Sequence, residues 1–448
     1  MSAVLSRKNK LMYGAGDIGF SLTTTIIGVY FLFFMIEVVG LRPALAGIPI
    51  AVGKFWDFIN DPIFGYVSDR TRTRWGRRRP YLLFGAIPLA VTFSLLWYRP
   101  DFSTSAALVA YYSVAYLLFE ASATLLYMPY FALTPELTSD YDERTSLTSY
   151  RMFFSILGSL IAFTLPVVIV GSFSPENSDR VLLMGIVFGL VSALPMYLVF
   201  FGTREREDFV EAERPTLWES IKAALKNVPF RYSLGIFLAT WISVDILQSS
   251  LLFYIKYVIE REPQNDLIMA TIFVVAMFAL PIWDWASRRW SKRYAYIFGI
   301  AFWAVVQILL ITVSPQTSLP LVLFLCMMAG IGVAAAHVLP WAIIPDSIEW
   351  DEYHTGERHE GMFYSITTLT RKVASAFAIP LIGPLLELTG YQPNSAIQSP
   401  QAVLGIKMII GPIPALLLTI GIVIAFRYPL DRDQFLGIIE KLKLRRAS

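Results

Sequence analysis

Residues 53–80 read GKFWDFINDPIFGYVSDRTRTRWGRRRP. The first part is an apolar run interrupted by Lys54, Asp57 and Asp61, and the second is dense in arginine. Asp57 and Asp61 are four residues apart and Lys54 precedes Asp57 by three, so a helix places all three on one stripe. At about 1.5 Å of rise per residue, counting back from the arginine run near residue 68, Asp57 lies about 15 Å and Asp61 about 10 Å inside that helix. A charged side chain at the centre of a membrane helix costs roughly 2.5–3.5 kcal/mol on insertion scales, so each of the three needs a reason.

The rest of the chain places that helix in a membrane. Hydrophobic residues make up 56% of the 448 and charged residues only 16%, with a mean hydropathy of +0.56. That charge density is too low to cover a soluble surface. Runs of about 20 mostly apolar residues recur twelve times: 11–39, 43–67, 81–99, 106–136, 147–172, 181–202, 231–258, 266–286, 294–313, 317–343, 361–389 and 402–427. The first is expected to be retained as a span, because no small-residue cleavage site follows it. Of the 37 lysines and arginines, 27 lie on the side that also holds both termini and 4 on the other, which makes the termini cytoplasmic by the positive-inside rule. The net charge of +3 does not argue for nucleic acid. The single cysteine, Cys326, excludes a disulfide framework, and no nucleophile–base pair, dinucleotide-binding glycine motif or metal-ligand cluster speaks for an enzyme or a resident cofactor.

The chain reads as a duplication. DPIFGYVSDRTRTRWGRRRPY (61–81) is echoed by LPIWDWASRRWSKRYAY (280–296), and MPYFALTPELTSDYDERTSLTSYR (128–151) by LPWAIIPDSIEWDEYHTGERHEGMFYS (339–365). The expected architecture is an all-α membrane protein of two six-helix bundles, 1–202 and 231–427. A cytoplasmic central loop (203–230) joins them and a cytoplasmic tail (428–448) follows. This is the plan of transporters that move solute between two halves.

Two carboxylates at the depth of Asp57 and Asp61 repel each other unless a cation or a proton intervenes, or unless Lys54 pairs with them in a structural ion network. Further ionisable groups within spans are Asp17, Glu120, Arg151, Asp245, Arg371 and Lys372. Lys372, near mid-depth, is expected to face a cavity and balance the span 2 carboxylates. Glu120 shares a face with Tyr127 and either binds a substrate hydroxyl or pairs with Arg151. Asp17 is nearer the cytoplasmic end, where such a residue is more often a helix-end pairing residue. Most aromatics, Trp341 among them, are packing or lipid-facing side chains, with a few lining a pocket. On the cytoplasmic face, Asp69, Arg70 and Arg78 oppose the acidic segments holding Asp142, Glu143, Arg144, Glu357 and Arg358. Charge pairing there is expected to form a conformational gate between the halves.

These motifs resemble a known family. The loop with Gly65, Asp69, Arg70 and Arg78 is similar to the signature loop of the major facilitator superfamily. KLMYGAGDIG, VGKFWDFINDPIFGYVSDRTRTRWGRRRPY, PYFALTPELTSDYDERTSLTSYR and PDSIEWDEYHTGERHEGMFYS resemble the glycoside–pentoside–hexuronide:cation symporters over residues 10 to 425. The resemblance implies the major facilitator fold and uptake of a sugar driven by Na⁺, Li⁺ or protons, with Asp57 and Asp61 as cation-binding carboxylates and Lys372 as the family's span 11 lysine. Where the melibiose-permease branch has sugar-binding carboxylates, this chain has Ser21 and Tyr127, with Asp17 and Glu120 nearby as substitutes. PYFALT…ERTSLTSYRM and EGMFYS…RKVASAF also resemble the animal lysophosphatidylcholine symporters.

The expectation is therefore a cation-coupled (Na⁺ or H⁺) symporter of a glycoside-like solute, monomeric and multi-pass in the cell membrane, with substrate, coupling cation and lipid bilayer as its partners. Candidate substrate contacts are Asp17, Ser21, Glu120, Tyr127, Trp341 and Lys372; Lys54, Lys372 and Arg151 are the candidate charge-coupling residues. A sodium-coupled lysolipid transporter is the alternative, and a non-transporting receptor or scaffold the remaining one.

Overall fold

The computed structural model describes residues 5–138, 141–205, 217–357 and 359–447, and among these helix is the only extended regular structure. The crossing helices are α1 Arg7–Glu37, α2 Pro43–Arg70, α3 Arg79–Leu96, α4 Ser105–Leu137, α5 Tyr141–Val170, α6 Ser178–Gly202, α7 Val228–Ile259, α8 Glu262–Arg289, α9 Lys292–Thr312, α10 Leu319–Thr355, α11 Glu360–Leu388 and α12 Pro400–Phe426. Eleven of them are long and apolar enough to cross a bilayer. The exception is α2, whose 28 residues suffice in length but whose Lys54, Asp57, Asn60 and Asp61 dilute its apolarity. Side chains such as Phe84, Ile87, Phe153 and Phe278 are more than half exposed, as helices solvated by lipid require. Shorter helices, Leu217–Lys226 and Arg432–Ala447, precede α7 and follow α12.

Local chemistry sets the helix ends. Thr104, Asn227 and Ser291 cap α4, α7 and α9 by accepting from the backbone N–H of Ala107, Phe230 and Tyr294. At the start of α3 the Glu205 carboxylate accepts from the N–H groups of Arg77, Arg78 and Arg79 at 2.6, 2.7 and 2.9 Å, an anion at the positive end of a helix dipole. Gly76 makes this possible. Its φ is +108°, and a Cβ there would sit 2.6 Å from Glu205 Oε1.

The chain divides into two compact units. The first comprises residues 1–211 with 262–266 and 379–399, and the second 212–261, 267–378 and 400–448. In the first, α1 packs on α5 and α6, α3 on α4 and α6, and α2 on α4; in the second, α7 packs on α11 and α12, and α9 on α10 and α12. The inner wiring repeats as well. In the first unit Arg78 donates to Glu136 Oε1 (2.9 Å) and Ser68 Oγ (2.8 Å), while Arg79 donates to the Phe200 carbonyl (2.7 Å). In the second, Lys292 bonds Asp346 and Arg293 donates to the Phe426 carbonyl. The first base entering the third helix of each unit thus takes an acid on the fourth, and the next closes on the end of the sixth.

The first helix of each unit also carries one π-helical turn, Ile27–Phe31 in α1 and Ile255–Ile259 in α7. Such turns are rare and cluster at functional sites. Helix α11 breaks between Ala378 and Ile382, at Pro380. Beyond the break, within the first unit, Glu387 accepts from Arg42 (2.7 Å) and the Ala44 N–H (2.9 Å), and buried Glu37 takes the Tyr391 hydroxyl.

Two outcomes follow. Arg78 is only 4% exposed and depends on Glu136, so Glu136→Ala should destabilise the protein by about 3–5 kcal/mol, as loss of one partner of a buried pair does. Asp284→Ala, which removes an exposed partner of Arg288, should cost less than about 1 kcal/mol. Thermal unfolding in detergent checks both, and equal shifts would refute the buried-anchor reading. At the turn into α11, His359 bonds Asp351 (2.8 Å) and Glu357 (3.1 Å), and chiefly the Asp351 bond raises its pKa above the ordinary histidine range. A raised folded pKa means the stabilisation is complete below about pH 6.5 and is lost as pH rises through the raised value. Hydrogen exchange of Glu360–Phe363 should therefore be slower, relative to the intrinsic rate, at pH 6 than at pH 8.5, and Asp351→Asn should flatten that difference.

Candidate functional site

Helix α2 meets α4 at Gly53, where a Cβ would fall 1.7 Å from the Tyr116 ring. That close seat turns the following helical stripe toward α4. Lys54 Nζ lies 3.8 Å from Glu120 Oε1, Asn60 Nδ2 donates to the Glu120 carbonyl oxygen (3.1 Å), and Thr124 Oγ1 donates to Asp61 Oδ1 (3.4 Å). Asp57 is 7% exposed, and Tyr116 lies within electrostatic reach of Asp57, Glu120 and Lys54. The seam therefore gathers three carboxylates, Asp57, Asp61 and Glu120, with Lys54 and the Thr124 hydroxyl. Asp61 and Thr124 add oxygen donors of the kind that suit a hard cation or a proton. Among the described residues no group of three or more His, Cys, Asp or Glu side chains is placed to hold a metal ion.

Glu120 faces Lys54, whereas Arg151 takes Asp17 at 2.6 Å, supported by the Tyr130 hydroxyl (3.3 Å to Asp17) and by stacking of the guanidinium over Phe131 at 4.8 Å. Arg151 and Asp17 join α5 to α1. Ser21 serves the same junction, its hydroxyl 2.6 Å from that of Ser155. Tyr127, 3% exposed, packs edge-on against Phe20 at 5.2 Å. The structure thus places these four within helix packing of the first unit, apart from the α2–α4 ion pairs.

The second unit has its own charged cluster, on α7, α10 and α11. Asp245 accepts from Ser375 and lies 3.6 Å from Arg371, whose guanidinium stacks 3.8 Å from the centre of the Trp241 ring. Trp241 meets His337 at 5.0 Å, and Trp341 meets Phe237 at 4.7 Å and Tyr364 at 6.3 Å. Lys372, partly exposed, follows Arg371 on α11. Asp17–Arg151 and Asp245–Arg371 therefore tie the first and fifth helices of each unit. The sequence singled out Asp245, Arg371 and Trp341 but missed His337 and Ser375. The Glu-on-backbone cap of Glu205 and the acids Glu136 and Asp346 were missed too, although the two echoed segments place Glu136 and Asp346 at matching positions after Pro135 and Pro345.

Of the expected gate residues, Arg78 is held by Glu136 and Ser68 of its own unit, and Glu143 is bound to Lys10 at 3.0 Å. Arg70 is exposed, and Glu357 pairs with His359. The side chains of Asp69, Asp142 and Arg144, and all of Arg358, lie outside the described residues.

A family model described as MFS/sugar transport protein matches residues 12–432. An uncharacterised symporter of Synechocystis sp. is 30% identical, over 98% of this chain and 97% of its own. The sodium-dependent lysophosphatidylcholine symporter 1-A of Danio rerio is 27% identical, over 95% and 86%. Among solved structures, a D-xylose-proton symporter superposes with a TM-score of 0.68 at 16% identity, covering 94% of this chain and 97% of that one. The nucleoside transporter NupG gives 0.65 at 11% identity, covering 97% and 99%. The fold is the major facilitator fold, and the chain belongs to the MFS/sugar transport protein family of symporters.

Proposed function

We propose that this symporter couples uptake of a glycoside-like solute to Na⁺ or H⁺ through the α2–α4 seam, working by alternating access in a cell membrane with both termini cytoplasmic. The observation that carries the reading is the convergence of three carboxylates, Asp57, Asp61 and Glu120, beside Lys54 and the Thr124 hydroxyl where α2 meets α4. Buried negative charge of that kind is relieved when a small cation or a proton occupies the seam. A cation that binds one conformation more tightly than the other shifts the balance between them, and only that difference in affinity can do so. Lys54 sets the strength of the site, since its attraction for Glu120 competes with the incoming cation. Arg371 supplies positive charge on α11 beside the aromatic group of Trp241, Trp341 and Tyr364, and Lys372 follows it on the same helix; the group is a surface suited to the apolar face of a sugar ring and to an anionic substituent.

A second reading is favoured by the same aromatic surface and by the lysophosphatidylcholine symporters among the relatives. In it the solute is an amphiphile, its phosphate meeting Arg371 and Lys372. Uptake into proteoliposomes separates the two. Glycosides should compete with one another in a stereochemically selective way; competition that tracks acyl-chain length instead assigns the amphiphile.

Asp57→Asn and Asp61→Asn should each abolish accumulation driven by a Na⁺ or H⁺ gradient, to the level of empty vesicles, while folding and expression hold. Full gradient-driven accumulation in both variants would refute coupling at the seam. Glu120→Gln should retain binding of the cation more weakly, because it removes one of the three carboxylates of the seam and the ion pair with Lys54.

A further inference from the structure

The hairpin that joins α8 to α9 carries a groove of about 840 Å³ on the outer face of the second unit, lined by Ile282, Trp285, Arg289, Trp290, Tyr294 and Phe298. Trp285 and Phe298 are each 59% exposed, and Trp290 51%. The rings form a connected wall, with Trp285 at 6.2 Å from Trp290 and Trp290 at 6.0 Å from Phe298. The groove has a polar end and an apolar end. From Arg289 back to Ile282, and from Trp290 on to Phe298, the helices descend about 10–12 Å, from the level of the basic loop into the span. Indole rings at that boundary are the side chains that settle at the headgroup level of a bilayer.

Charge singles out one residue at the polar end. Four bases stand on this hairpin: Arg288, Arg289, Lys292 and Arg293. Arg288 is paired with Asp284 (3.0 Å), Lys292 with Asp346, and Arg293 donates to the Phe426 carbonyl. Among the described residues no acid or carbonyl takes the Arg289 guanidinium, which lines the groove. Arg432, from the C-terminal helix, donates to the Arg289 carbonyl at 3.2 Å and adds a second guanidinium at the mouth.

We propose that this groove holds one phospholipid with an anionic headgroup, drawn from the cytoplasmic leaflet. Its phosphate accepts from Arg289, and one acyl chain lies along Trp285, Phe298 and Ile282. A phosphate matches the planar donor fork of arginine, and a basic pocket on the cytoplasmic side of membrane helices is the setting in which acidic lipid headgroups bind. Charge complementarity at one end and a ring-lined trough at the other select a diacyl lipid over a soluble anion. The site is independent of the transport pathway assigned above.

Native mass spectrometry of the full chain, delipidated and then supplied with palmitoyl-oleoyl phosphatidylglycerol or the matching phosphatidylcholine, tests this. The wild type should retain one phosphatidylglycerol in preference to phosphatidylcholine by about fivefold, the scale of one basic residue near an acidic lipid. Arg289→Gln should erase that preference, Arg288→Gln should leave it, and Trp290→Ala should weaken retention of both lipids. Excess inorganic phosphate should not displace the lipid. The proposal is overturned if the wild type shows no preference, if Arg289→Gln keeps it, if Arg288→Gln loses it equally, or if phosphate alone displaces the lipid. Because both arginines are exposed, matching thermal unfolding of the two variants confirms that each reports binding and not folding.

Discussion

Placing charge inside hydrocarbon is the constraint on which the rest of this structure depends. Several ionisable side chains within the spans are matched by a neighbour on another helix: Asp17 by Arg151, Glu120 by Lys54, Asp245 by Arg371, Glu136 by Arg78, Asp346 by Lys292. Such pairs are expensive to assemble and more expensive to break, because removing one partner strands the other in a medium of low dielectric constant. They fix which helices lie side by side. The α2–α4 seam brings three carboxylates together beside Lys54, and it is there that the proposed cation coupling is sited.

Repetition of wiring shows how a duplicated chain keeps its framework while its sites diverge. The base-to-acid bond between the third and fourth helices survives as Arg78–Glu136 and Lys292–Asp346, although the residue types have changed. The bond from the next arginine to the carbonyl ending the sixth helix survives unchanged in type. By contrast, the carboxylates of α2 have no counterpart in α8: with the two segments aligned on their shared Pro-Ile, Asp57 and Asp61 fall on Ala276 and Leu280, and the acid that follows, Asp284, is exposed and paired with Arg288. The framework is symmetric and the ion chemistry is not.

Much of this was legible in the sequence, for definite reasons. Twelve apolar runs announce themselves because hydrocarbon admits few alternatives, and the four-residue spacing of Asp57 and Asp61 is a local property of a helix. The partners were harder to read because they depend on which helices touch. Glu120 facing Lys54 and not Arg151 follows from Gly53 admitting Tyr116, a contact between residues 63 apart. Ser21 and Tyr127 stand at substrate positions by resemblance alone, and their contacts with Ser155 and Phe20 depend on which helices touch. The π turns in α1 and α7 left no signal in composition, and the cap by Glu205 depends on a glycine with positive φ more than a hundred residues earlier.

The central claim is that Asp57 and Asp61 bind a small cation reversibly, and equilibrium binding tests it without any substrate. Purified protein in detergent should bind radioactive sodium in a saturable way or, if protons are the coupling ion, take up and release protons at the seam when titrated. Asp57→Asn/Asp61→Asn should remove that signal, while Asp284→Asn should leave it in place. A double variant that binds sodium and titrates as the wild type does would contradict the account.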